Sequence, residues 1–118
     1  LYIKNKLSKF DIFTKLYLKK RIMILEVAVL QIIEGQQSDF ERDYKTACQY
    51  ISASKGYITH SLRKCIEKDN QYILLVEWET LEDHTIGFRE SALFKEWEKL
   101  LHHYYDPFPT VEHYEVLK

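Results

Sequence analysis

The order of apolar runs along the chain predicts an α+β domain, a ferredoxin-like split β-α-β-β-α-β fold with four antiparallel strands and its helices on one face of the sheet. Three observations carry this expectation. The chain holds strand-like runs in four places, amphipathic stretches follow the first and third of them, and glycine or proline punctuates the junctions.

"MILEVAVLQII" (23–33) is β-branched and apolar on both alternating faces, as a strand covered on two sides requires, and Gly35 ends it. "SDFERDYKTACQYISA" (38–53) opens with Ser38 and Glu41 in capping-box spacing and places Phe40, Tyr44, Ala47 or Cys48, and Ile51 on one stripe. Gly56 stops that helix near its C-cap. "GYITHSLRKCI" (56–66) then alternates, with Ile58, His60, Leu62 and Lys64 on one face and Tyr57, Thr59, Ser61, Arg63 and Cys65 on the other. The turn cluster "KDNQ" (68–71) leads into "YILLVEWE" (72–79), so residues 56–79 read as a hairpin. Thr80 and Asp83 mark a short helix that Gly87 interrupts. "SALFKEWEKLLHHYY" (91–105) follows as the second main helix, with Phe94, Trp97, Leu101 and Tyr104 inward. "DPFP" (106–109) breaks it as a rigid connector, and "TVEHYEVL" (110–117) is the last strand.

Such a sheet has one uncovered face. Because the first and third strands are apolar on both sides, leaving that face in water costs roughly 25 cal/mol per Å² of apolar area. A homodimer closing sheet against sheet is the simplest remedy.

Composition narrows the function classes. With 118 residues, 46% of them hydrophobic and 14% aromatic, the chain suits one packed domain. A formal net charge of −1 gives no basic footprint for nucleic acid. Cys48 and Cys65 lie far apart with no metal-ligand spacing, so both read as reduced, buried thiols and no metal is expected. No run approaches the length of a membrane span, and a cytoplasmic protein is the default expectation.

The charge is uneven. Residues 1–22 carry Lys4, Lys6, Lys9, Lys15, Lys19, Lys20 and Arg21 against Asp11, a net of +6 that leaves −7 for the remainder. This basic leader reads either as an accessory amphipathic helix, with Ile3, Leu7, Phe10, Phe13 and Tyr17 at helical spacing, or as a segment foreign to the natural protein, because Met23 immediately precedes the first strand. It lacks the continuous apolar centre of a secretory signal. The domain proper is expected over 23–118.

"MILEVAVLQIIEGQQSDFE", "GYITH", "YILLVEWETLEDHTIGFRES" and "HHYYDPFPTVEHYE" together resemble the antibiotic biosynthesis monooxygenase family of dimeric α/β barrels, across residues 23–117. The strand end "VEWETLEDH" is the strongest anchor. The resemblance implies a homodimer with a cavity between sheet and helices in each protomer. Within the family some members oxidise phenols or quinols with O₂ and no cofactor, and others degrade haem.

The haem-degrading pattern of Asn, Trp and His falls here on Ala28, on Gly87 or Phe88, and on Glu98, so none of it is kept. Haem remains an alternative only through His102 or His103, one turn further on. Of the quinone-forming pattern, the strand-end Trp is kept as Trp78, while an Asn becomes Leu74 and a Tyr becomes His84.

The leading expectation is therefore oxidation of a phenolic, quinol or similar electron-rich small molecule by O₂, with no cofactor. His84 is the candidate base, Arg89 the candidate holder of the phenolate or peroxide, and Trp78 the third catalytic candidate. Phe88, Trp97, His60, His113 and Tyr105 are candidates for contacting substrate. Plain packing roles stay open beside these: Trp78 and Trp97 as core aromatics, Arg89 paired with Glu90 or Asp83, His60 and His113 as buried imidazoles with one hydrogen bond. If strand faces coincide, His60, Glu77 and His113 form a polar patch. A non-catalytic dimer that binds a metabolite is the alternative of another class.

Overall fold

The computed structural model describes residues 23–117; the basic leader, residues 1–22, lies outside them. Strand β1 (Ile24–Gln31) is followed by helix α1 (Gln37–Ser52), the hairpin of β2 (Tyr57–Lys64) and β3 (Gln71–Trp78), helix α2 (Ala92–Leu101) and β4 (Val111–Glu115). The sheet order is β2-β3-β1-β4, and every neighbouring pair is antiparallel. This is the ferredoxin-like α+β arrangement expected from the element order.

Sheet register decides which side chains meet the helices. Glu26, Ala28 and Leu30 of β1 face the same side as Tyr72, Leu74, Val76 and Trp78 of β3, and all seven are buried. Helix α1 lays Phe40, Tyr44, Ala47 and Ile51 on that face, and α2 adds Trp97 and Leu101. Their alternating partners, including Leu25, Val27, Val29, Ile73, Leu75 and Tyr114, lie on the uncovered face, where Val29 is 43% and Tyr114 52% exposed.

Several local expectations are corrected. Helix α1 begins at Gln37 after Gln36, and Ser38 makes no cap; the Gln37 side chain instead accepts from the backbone N–H of Gly35 at 2.7 Å. Glu41 is drawn away from a capping box because Tyr72 Oη donates to it at 2.5 Å. Gly87 interrupts nothing, since it sits inside a π-helical segment, Asp83–Phe88, entered where Thr80 Oγ1 accepts from the Asp83 N–H at 3.1 Å. Ser91 caps α2, which ends at Leu101 and tightens into a 3₁₀ turn over His102–Tyr104. Both cysteines are free, and they are half-buried rather than buried.

A register shift between Tyr57 and Thr59 in β2 breaks the simple alternation. It turns Tyr57 to the same side as His60, and the two are hydrogen-bonded. Gly56, just before, has φ +83°, and a Cβ placed there would come within 2.1 Å of the Asp83 carboxylate. The Gly56 carbonyl also accepts from the Glu79 N–H at 2.8 Å, so this turn clamps the end of β3 and the entry to the π-helix. Gly56→Ala is expected to lower stability by about 1–3 kcal/mol, the usual cost of a left-handed non-glycine residue, as read from the urea midpoint.

Candidate active site

The inward end of the sheet carries an acid that its sequence context conceals. Glu26 sits between Ile24 and Ala28 on β1 and is 5% exposed, directly across from Val76 on β3 and His113 on β4. The Trp78 indole N–H donates to Glu26 Oε1 at 2.9 Å. His84, 3% exposed on the π-helix, brings its Nε2 to 3.3 Å from the same oxygen, and its Nδ1 lies 2.8 Å from His113 Nε2. A buried carboxyl, a buried imidazole and a half-buried imidazole thus lie in one line, the two rings hydrogen-bonded to each other and the carboxyl in contact with His84. Trp78 stacks on the His84 ring, with centroids 5.2 Å apart and planes 20° from parallel.

Burial controls the protonation of this line. Desolvation raises the Glu26 carboxyl to about 7, against the smaller opposing effects of the Trp78 hydrogen bond and the Arg89 charge. Desolvation lowers His84 to about 3, helped by Arg89 and by His113. His113 is lowered as well, first by burial and then by Arg89. Near neutral pH the 3.3 Å contact between Glu26 and His84 therefore sets the carboxyl against a neutral imidazole rather than in an ion pair. Lone imidazoles usually titrate near 6.5, but here the group that titrates near neutrality is the carboxyl.

A cavity of about 360 Å³ opens beside these groups, lined by Glu26, His84 and Arg89 and walled by Phe88, Phe94 and Trp97. Tyr105, His102 and Phe108 also line it. Phe88 meets Trp97 edge-on at 6.1 Å, which gives the wall a fixed shape. The size falls within the range of small-molecule sites. Arg89 is exposed, and among the described residues its guanidinium has no hydrogen-bond or ion-pair partner. The pairing considered for it with Glu90 or Asp83 is not formed.

Of the residues singled out in the sequence, His84, Arg89, Phe88, Trp97 and Tyr105 converge on this cavity. Trp78 touches it through His84 and Glu26, and His113 through His84. His60 does not join them: it lines a separate, more open hollow with Tyr44, Lys45 and Tyr72. The patch of His60, Glu77 and His113 does not form, because Glu77 pairs with Leu25 on the uncovered face while both histidines face the helices. Glu26 was missed: it is the lone acid of "MILEVAVLQII", but with both faces of that strand apolar its inward direction is set by the pairing with β3 and β4.

The histidines following α2 divide. His102 lines the cavity with its Nδ1 3.4 Å from Glu98 Oε2 and its ring edge-on to Phe94 and Phe108. His103 is exposed and packs against Tyr104 outside the cavity. No helix among the described residues is long and apolar enough to cross a membrane, and no group of three or more metal-ligating side chains occurs among them.

Known proteins show the same framework. The family model described as antibiotic biosynthesis monooxygenase matches residues 23–100. The chain is similar to the uncharacterized protein YczJ of Bacillus subtilis (strain 168), with 57% identity over 93 residues, 79% of this chain and 98% of that relative. Among solved structures, a Bordetella bronchiseptica protein assigned to antibiotic biosynthesis monooxygenases aligns over 82% of this chain and 99% of its own, at 33% identity and a TM-score of 0.78. SnoaB, a cofactor-independent oxygenase from Streptomyces nogalater, shares the fold at a TM-score of 0.60 and 16% identity, over 82% of this chain and 93% of its own.

Proposed function

Because the chain belongs to the antibiotic biosynthesis monooxygenase family, we propose that it oxidises a phenolic, quinol or similarly electron-rich small molecule with O₂ and without a cofactor. The observation that carries this reading is a buried carboxyl at about 7 beside neutral His84 in an aromatic cavity. A general base works best when its pKa lies near the working pH. Glu26 takes that part better than His84, whose basicity burial removes.

The chemistry follows from the residues present. Glu26 accepts the phenol proton, Arg89 at the cavity mouth balances the resulting anion, and Phe88 and Trp97 hold the ring away from water. The electron-rich anion reduces O₂ by forming a C–O bond at a ring carbon; the C–H bond there and the O–O bond then break, so that one oxygen atom stays as a carbonyl and the other leaves as water with the C–H proton and the phenol proton. SnoaB, of the same fold, is a cofactor-independent oxygenase, which supports a reaction with no added group. Metal-stripped protein is expected to consume O₂ with a quinol panel, measured at an oxygen electrode. No uptake with any member would favour the non-catalytic metabolite-binding reading.

Haem handling draws less support. Ala28 and Glu98 stand where the haem-degrading pattern places Asn and His, His103 faces outward, and His102 is held against Glu98.

The working unit is proposed to be a homodimer joined through the uncovered sheet face. Val27 and Leu75 are Cα partners at its centre, so Val27→Glu introduces two like charges across a symmetric seam. The variant is expected to elute at the monomer volume in size-exclusion chromatography while the unsubstituted chain elutes as a dimer. Elution of both at one volume would argue against this face as the seam.

A further inference from the structure

We propose that His84 and His113 form a proton relay that connects Glu26 in the cavity to solvent at strand β4. The inference rests on the reading of Glu26 as the base and extends it to how that base is emptied and refilled. With substrate filling the cavity that Glu26 lines, a carboxyl that is 5% exposed has no direct route for its proton to bulk water. The contacts that leave it lead through His84 Nε2 at 3.3 Å, across that ring to Nδ1, and on to His113 Nε2 at 2.8 Å, on a half-buried ring.

Two hydrogen-bond arrangements satisfy the same atoms. With Glu26 protonated, its O–H donates to His84 Nε2, His84 Nδ1–H donates to His113 Nε2, and His113 carries its own proton on Nδ1. With Glu26 ionised, His84 Nε2–H donates to the carboxylate and His113 Nε2–H donates to His84 Nδ1. Passing from the first to the second moves one proton from Glu26 to His84, one from His84 to His113, and one from His113 Nδ1 to water. The count balances, with one proton leaving the carboxyl and one entering solvent, and both rings stay neutral before and after. The Trp78 indole N–H donates to Glu26 Oε1 in either arrangement, which fixes the carboxyl while the protons shift.

The oxygenation uses both directions. Outward transfer empties Glu26 so that it can take the phenol proton; Glu26 then gives that proton to the departing oxygen, which leaves as water with the ring C–H proton, and inward transfer restores the first arrangement. The other charged or titratable groups whose fields reach this line are Arg89, which disfavours a positive charge on either imidazole, and Tyr105, whose phenol is pushed up by burial and then by Glu26. The positive Arg89 field therefore favours transit by neutral tautomers over a lasting imidazolium.

Nitrogen-15 NMR of the histidine-labelled protein tests the relay without reference to turnover. His84 is expected to carry its proton on Nδ1 below about pH 7 and on Nε2 above it, with His113 switching alongside, and Glu26→Gln should abolish the switch. A single His84 tautomer from pH 5 to pH 9 would overturn the proposal. Kinetics give a second readout. His113→Ala should lower kcat by about tenfold or more with KM little changed, and free imidazole should restore the rate in proportion to its concentration. An unchanged kcat would also overturn it. If the unsubstituted protein consumes no O₂, the proposed activity fails by itself, and the tautomer measurement still decides the relay.

Discussion

Glu26→Gln is expected to lower kcat for the proposed O₂-dependent phenol oxidation by about 10²-fold or more at neutral pH, the usual contribution of a positioned general base. Gln keeps an acceptor for the Trp78 indole N–H but cannot take a proton. The pH profile is the sharper readout. In the unsubstituted protein the rate is expected to rise as pH passes about 7, where Glu26 ionises, and in the variant that rise should be absent. A retained inflection near 7 in Glu26→Gln would move the base elsewhere.

The same group shapes stability with a definite sign. Its folded pKa of about 7 lies above the ordinary 4.5, so the stability it contributes is present below about 4.5 and is lost as pH rises through about 7. His84 runs the other way: with a folded value of about 3 against 6.5, its contribution is present above about 6.5 and is lost as pH falls towards about 3. In Glu26→Gln the loss on raising pH from about 4.5 to about 7 should vanish from urea midpoints, while the His84 loss on lowering pH towards about 3 remains.

Trp78→Ala is expected to cost about 3–5 kcal/mol, because the ring is fully buried and packs on Tyr57, His84 and Phe88. Much of that cost is the void, so Trp78→Phe separates packing from chemistry. Phe fills most of the space but has no N–H for Glu26 Oε1. Since that hydrogen bond holds the Glu26 value down, its loss shifts the rise in the pH–rate profile above about 7. An unshifted profile in Trp78→Phe would mean that the indole only packs.

How much of this was legible in the sequence differs by level. Strand and helix order follows from periodicity, because "MILEVAVLQII", "YILLVEWE" and the two helical stripes have patterns that suit only one layered arrangement. The short helix carrying His84 and Arg89 was legible as a place but not as a π-turn. Its wider turn closes Arg89 N–H onto the His84 carbonyl at 3.1 Å, a spacing that sequence does not announce.

Facing was harder than order. Glu77 and Trp78 are adjacent on β3 and must point to opposite sides, so placing Trp78 at the site already excluded Glu77 from it. The inward acid is Glu26, and identifying it requires knowing that β1 is paired with β3 and β4 in a register that sets Glu26 opposite Val76 and His113. Such pairings are long-range and leave no local trace. His60 shows the reverse case: it faces the helices as the alternation allowed, but it sits on β2, one strand beyond β3, beside a different hollow.

The central claim is that this cavity, with Glu26 as its base, inserts oxygen from O₂ without a cofactor. The most direct measurement supplies ¹⁸O₂ to metal-stripped protein with a quinol that it turns over, and weighs the product by mass spectrometry. The expected product carries one ¹⁸O atom in the unsubstituted protein, with a yield at least about 10²-fold lower from Glu26→Gln. A product whose new oxygen comes unlabelled from water, or equal labelled yields from both proteins, would contradict it.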